Sequence, residues 1–258
     1  MSRIASTFAS LRERGQKAFV AFVTAGDPAL ERTAEIALEL EKGGTDVLEL
    51  GVPFSDPLAD GPVIQRSSDR ALRRGVTLDK VLGVVRRIRE TSELPLVLFT
   101  YMNPIHRYGT ERLAKDARAA GADGVLVTDL PPEEANGWLT AARAADLDTV
   151  FLAAPTSPDE RLLGIAHASR GFVYAVSRTG ITGEKDKVSD EARPLVERIK
   201  ALTREPVALG FGLSTPQQVA SAAEVADGVV VGSALVRFLE EHPDGDVAEK
   251  VRWLKSAM

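Results

Sequence analysis

At 258 residues, with 44% hydrophobic and 27% charged side chains, the chain is long enough for a substantial buried core and ordinary in composition for a globular protein. A formal net charge of −5 gives no general attraction for phosphodiester backbones, and the clusters Arg73-Arg74 and Arg86-Arg87-Arg89 read as solvated helix faces, so nucleic acid is not an expected partner. The absence of cysteine excludes disulfides, thiolate catalysis and cysteine-bound metals.

In chain order, the start carries no long apolar signal segment, and residues 1–15 are expected to form an extra helix across one end of the fold, with Phe8 and Leu11 inward. Short apolar or β-branched runs then recur at 18–24, 46–50, 95–101, 124–128, 149–153, 171–176, 206–209 and 228–231, eight in all. Most are continuous rather than alternating, as in strands covered on both faces. Helical periodicity fills the gaps: Leu30, Ala34, Ala37 and Leu38 share one face, as do Leu78, Val81, Leu82, Val85 and Ile88, and Leu113, Ala114, Ala117 and Ala120. Asp27-Pro28 and Ser157-Pro158 read as N-caps followed by a first-turn proline. Gly43-Gly44, Gly121 and Gly171 lie where a helix should stop. The expectation is an α/β fold, a (β/α)8 TIM barrel formed by residues 1–258 as a single domain, with a doubly wound open sheet as competitor. No apolar run is long enough to span a bilayer, and a cytoplasmic location is expected.

The most informative segment is 49–62. Glu49 sits inside the apolar run 46–50, and Asp60 follows in a loop stiffened by Pro53, Pro57 and Pro62. A carboxylate between leucines needs either a partner or chemical work, because removing its hydration costs several kcal/mol. Desolvation would raise its pKa to where it can both give and take a proton. A structural ion pair is the plainer reading. In a barrel of this kind phosphate is usually held after the last two strands, and both loops suit it: Gly210-Phe211-Gly212-Leu213-Ser214 and Gly232-Ser233 at a helix start. Tight turns and an ordinary cap would account for the same glycines. The polar loop 177–187 reads either as a closing lid, with Gly183 adding an N–H to the phosphate site, or as a surface loop.

Several chemistries lose support. No lysine ends a strand, which disfavours a Schiff-base aldolase. His106, His167 and His242 are scattered, which disfavours a metal site. No Ser/His pair suggests a covalent nucleophile. What remains is a carboxylate pair for proton transfer beside a candidate phosphate pocket.

Together the segment 49–62, Tyr101-Met102-Asn103-Pro104-Ile105, the run 177–183, Gly210-Phe211-Gly212 and Gly232-Ser233 resemble the tryptophan synthase alpha subunit family in order and spacing, from Phe19 to about Leu239. The resemblance implies retro-aldol cleavage of indole-3-glycerol phosphate to indole and glyceraldehyde 3-phosphate without a cofactor. It implies that Glu49 protonates the ring carbon and then takes the proton of the adjacent glycerol hydroxyl, while Asp60 accepts a hydrogen bond from the indole N–H. It further implies that Thr182 bonds Asp60 on lid closure, and that Phe22, Phe99 and Leu126 line the indole slot. Tyr174 would lie near Glu49 or serve as an inward core aromatic. Gly183, Gly212, Gly232 and Ser233 would bind phosphate. A beta subunit carrying pyridoxal phosphate is the implied partner in an alpha2beta2 heterotetramer, with Pro53, Asp56 and Asn103 as candidate contacts. Other readings are a free-standing indole-releasing lyase, an isomerase of phosphorylated sugars and a non-catalytic activating subunit.

Overall fold

The computed structural model describes residues 2–176, 191–210 and 212–258. Its sheet has nine strands: β1 Ala18–Thr24, β2 Val47–Gly51, β3 Leu96–Thr100, β4 Gly124–Val127, β5 Asp148–Val150, β6 Leu152–Ala153, β7 Val173–Val176, β8 Val207–Gly210 and β9 Gly228–Val231. All pairings are parallel, in the order β5-β4-β3-β2-β1-β9-β8-β7-β6. Because β1 pairs with both β2 and β9, the first strand closes on the last, and the competing open sheet is ruled out. The strand expected at 149–153 is split: β5 and β6 are its two halves, and the break in the ring falls at Phe151. The ladder barely notices, since Arg170 N donates to Thr149 O and Tyr174 N to Phe151 O.

Alternation along each strand separates two cores. Phe19, Leu48, Leu50, Leu96 and Leu98 face the surrounding helices, whereas Val20, Val47, Val97, Leu126, Val150, Tyr174 and Val230 fill the barrel. With both faces apolar, the strands read as continuous hydrophobic runs. The expected helix faces are largely met, with one correction. In Leu30–Lys42 the buried row is Thr33, Ala34, Ile36, Ala37 and Leu40; Leu30 and Leu38 are both half-buried, and of the two it is Leu30 that packs on the core. The two expected caps also differ. Asp27 does not cap; its carboxylate takes a two-point hydrogen bond from Arg70, at 2.9 and 2.6 Å, and Ala29 precedes the helix. Ser157 accepts from Ala154 N, and Pro158 occupies the cap position of Asp159–Ala168.

The helix Arg3–Glu13 plugs the N-terminal end of the barrel, with Ile4, Phe8 and Leu11 buried. Phe8 packs against Phe172 with ring centroids 5.8 Å apart and planes tilted by 38°. A side chain at Gly228 would crowd Phe8, and one at Gly124 would crowd Ile4, so the plug needs glycine at these strand starts. Ser2 Oγ caps the helix by accepting from Ala5 N and itself donates to Asp148. Beside it Asp123, 1% exposed, accepts from Arg3 Nη1 at 2.9 Å, Arg89 Nη2 at 2.6 Å and Leu96 N at 2.9 Å. Removing one member of such a buried set strands the rest, so Asp123→Ala is expected to lower unfolding free energy by about 3–5 kcal/mol, read from urea melts. Among the described residues, no helix is long and apolar enough to cross a membrane.

Candidate active site

Glu49 is the middle residue of β2, in register between Phe22 of β1 and Val97 of β3. It shares the inward side of the strand with Val47, which packs inside the barrel. The side chain is wholly buried, and neither carboxyl oxygen has a hydrogen-bond partner among the described residues. The structural ion pair is therefore not what holds it. Desolvation alone pushes its pKa up to about 8. At neutral pH this residue is a carboxylic acid, with a proton to give.

The loop after β2 returns Asp60 to the same mouth. Its backbone folds on itself through Asp60 N to Pro57 O at 3.0 Å, and Gln65 Nε2 holds Asp60 O at 2.8 Å. Asp60 is 6% exposed, and the Tyr101 hydroxyl donates to its Oδ2 at 3.0 Å. Burial raises the Asp60 pKa to about 6, against the opposing pull of the Tyr101 hydrogen bond. Burial thus separates the two carboxyls, leaving one protonated and the other ionised near pH 7.

Tyr174 lies inside the barrel on β7, 7% exposed. Its pKa is raised far above the ordinary range, first by burial and then by the charges of Glu49 and Asp60, which places it within electrostatic reach of both. Its hydroxyl passes over the end of β8, where a Cβ on Gly210 would come within 2.4 Å. Tyr174 is therefore both a core aromatic and a neighbour of the carboxyls. Phe22 and Phe99 meet edge to face at 5.1 Å, and Phe22 continues to Val63, Val236 and Ile64, an apolar wall beside Glu49. Leu126 is fully buried in the barrel row of Phe99 and Val150. Gly51 belongs to this wall by having no side chain, since a Cβ there would strike the Phe22 ring at 2.6 Å.

Gly232 and Ser233 open the helix Ser233–Glu241, presenting its first N–H groups at the end of β9. The Cβ position of Gly232 lies 3.3 Å from Phe22, so the start of this helix adjoins the aromatic wall. Gly212 has φ +79° and open space on its Cβ side. Thr182 and Gly183, with the candidate lid, lie outside the described residues, as does Phe211. Of the candidate partner contacts, Asp56 and Asn103 are exposed, while Pro53 is buried in the chain itself.

Two residues stand out only in the structure. In the sequence Tyr101 is one member of a motif, although a tyrosine directly after β3 is well placed to meet a loop carboxylate. Leu58 is 92% exposed two residues before Asp60; its place between Pro57 and Ala59, outside any helical or strand period, was the available signal.

Residues 8–257 match the family model described as tryptophan synthase alpha chain. The tryptophan synthase alpha chain of Citrifermentans bemidjiense is 50% identical over 258 residues, covering 100% of this chain and 97% of the relative. That of Burkholderia multivorans is 51% identical over 250 residues, 96% of this chain and 92% of the relative. Among solved structures, tryptophan synthase subunit alpha from Legionella pneumophila superposes with a TM-score of 0.91 at 39% identity, covering 100% of this chain and 97% of that one. A chain of Mycobacterium tuberculosis tryptophan synthase gives 0.92 at 40% identity, covering 99% and 98%. A match over nearly the whole length at half identity is decisive: the chain belongs to the tryptophan synthase alpha chain family.

Proposed function

We propose that Glu49 and Asp60 carry out the family's lyase reaction here, the retro-aldol cleavage of indole-3-glycerol phosphate to indole and glyceraldehyde 3-phosphate, with residues 1–258 working as one barrel domain. The observation that carries the assignment is the Glu49 carboxyl, buried, without a hydrogen-bond partner among the described residues and with its pKa pushed up to about 8. As the acid it gives its proton to the indole carbon bearing the glycerol chain. The resulting cationic ring accepts the electron pair of the bond to be broken. Glu49, now a carboxylate, takes the proton of the adjacent glycerol hydroxyl, the carbon–carbon bond breaks, and the aldehyde and indole leave. Glu49 ends as it began, so no external proton carrier is needed. Asp60, ionised, accepts the ring N–H and stabilises the positive charge that protonation creates. Phe22 and Phe99 hold the ring. Gly212, Gly232 and Ser233, with Gly183 of the loop 177–187, bind phosphate, and Thr182 of the same loop bonds Asp60. The sugar isomerase reading leaves the aromatic wall and the carboxyl pair without a purpose.

The partner is a tryptophan synthase beta subunit, to which pyridoxal phosphate would belong. It docks on the exposed Leu58, Asp56 and Asn103, with Pro53 supporting the loop beneath. Leu58, two residues from the exposed Asp56 on the loop that carries Asp60, adds apolar area to that contact surface. Leu58→Glu is expected to weaken beta-subunit binding about tenfold or more in a titration followed by rate stimulation. The founding test is to incubate the purified chain with indole-3-glycerol phosphate and follow indole release, alone and with the beta subunit. Slow release that accelerates with the partner supports the reading. Equal, fast release without it would point to a free-standing lyase, and none under either condition would refute the assignment.

A further inference from the structure

We infer that Tyr101 is a positioning residue for Asp60, a clamp that ties the loop 53–60 to the end of β3 and keeps the Asp60 carboxylate ionised and aimed. The inference rests on the reading of Asp60 as the acceptor for the ring N–H. Tyr101 is the first residue beyond β3 and immediately precedes the helix Met102–Tyr108. It is 3% exposed, and its ring packs on Phe54 at 5.0 Å with planes 35° apart. The loop itself therefore fixes the ring's direction. The hydroxyl then makes two different bonds to that loop. It accepts from Ala59 N at 3.2 Å and donates to Asp60 Oδ2 at 3.0 Å. Phe54, Ala59 and Asp60 thus all meet one side chain from the end of another strand.

The direction of the second bond decides its chemical effect. A hydroxyl that donates to a carboxylate favours the charged form and opposes the desolvation that would otherwise neutralise it. Because Tyr101 takes Oδ2, Oδ1 remains for the ring N–H, and the carboxylate plane is set before substrate arrives. Ala59 N polarises the hydroxyl by donating to it, which strengthens the bond to Asp60. Among the described residues, the titratable groups that face Asp60 are Tyr101 from the end of β3 and Tyr174 from β7, the latter also within electrostatic reach of Glu49 of β2. Neither Tyr174 nor Glu49 hydrogen-bonds Asp60 among these residues. Tyr101 is thus the group holding the charge.

Tyr101→Phe tests this, since it keeps the ring against Phe54 and removes only the hydroxyl. Two readouts separate positioning from structure. The first is the carboxyl carbon titration of Asp60 by NMR, assigned with Asp60→Asn, which needs no turnover. The expected result is an Asp60 midpoint about one pH unit higher in Tyr101→Phe, a tenfold change in its ionisation equilibrium. The second is the pH dependence of indole release: the acid limb should move up with that midpoint, and kcat should fall about tenfold with KM changing less, because Asp60 acts as charge develops. An unchanged midpoint would overturn the inference, as would a variant that loses thermal stability and activity alike at every pH. If the wild type releases no indole while the midpoint still moves, the lyase assignment fails and the clamp stands.

Discussion

Glu49→Gln is expected to lower indole release by at least about a thousandfold, because glutamine can neither deliver nor recover the proton and each transfer contributes roughly 10²–10⁴. The same substitution is expected to make the folded chain more stable, and the two effects have one cause. Burial raises the Glu49 pKa from its ordinary 4.5 to about 8, so the native state holds a neutral acid where the unfolded chain would release the proton. The stability associated with this group is therefore fully present below pH 4.5 and is lost as the pH rises through 8. Glutamine is a neutral isostere in the same unpartnered place, so it carries the same desolvation without the pH-dependent loss. Urea melts of the two proteins should coincide near pH 4, differ by on the order of 3 kcal/mol at pH 7 and reach a plateau above about pH 8.5. At neutral pH this corresponds to a melting temperature roughly 5–10 °C higher for the glutamine variant. Equal stability across the range would mean that Glu49 is not held as an acid, and the proposed proton donor would be lost with it.

Local chemistry explains which parts of this molecule were legible in advance. Strand positions could be read because apolar side chains on both faces leave a continuous run; 18–24 and 228–231 coincide with β1 and β9. Closure could not, because an open sheet and a ring have the same local pattern and differ only in the pairing of Ala18 with Gly228 and its neighbours. Glu49 stood out because a carboxylate in an apolar strand violates the burial rule, and such violations concentrate where function is. The bond that controls Asp60 was hidden, since Tyr101 lies 41 residues away and nothing short-range links the two. Asp27 misled for the same reason: Asp-Pro is a good local cap, but Arg70, 43 residues on, offers a charge-assisted two-point bond that outcompetes one backbone N–H. Local preferences decide where long-range partners are weak, and they fail at charged residues, whose strongest partners come from elsewhere in the chain.

The pH dependence of kcat/KM should be a bell with limbs near pH 6 and pH 8, falling about tenfold per unit outside them. Asp60 must be ionised to accept the ring N–H and stabilise the cation, so activity is lost as the pH falls through about 6. Glu49 must be protonated to donate, so activity is lost as the pH rises through about 8. Both limbs come from carboxyls, an unusual source for the basic one, and the surroundings support that assignment. Tyr174 is pushed far above its ordinary value and Tyr101 is also raised, so neither titrates in this window. The three histidines are exposed on helices and their neighbouring turns, away from the barrel interior. The competing source is the substrate, whose phosphate monoester loses its second proton near pH 6. Asp60→Asn separates the two, at a cost of roughly a hundredfold or more in kcat/KM for the lost charge stabilisation. If the acid limb belongs to Asp60, the residual activity of the asparagine variant will be flat down to pH 5 and still fall above 8. If the acid limb survives the substitution, it belongs to the substrate phosphate, and Asp60 is ionised throughout the working range.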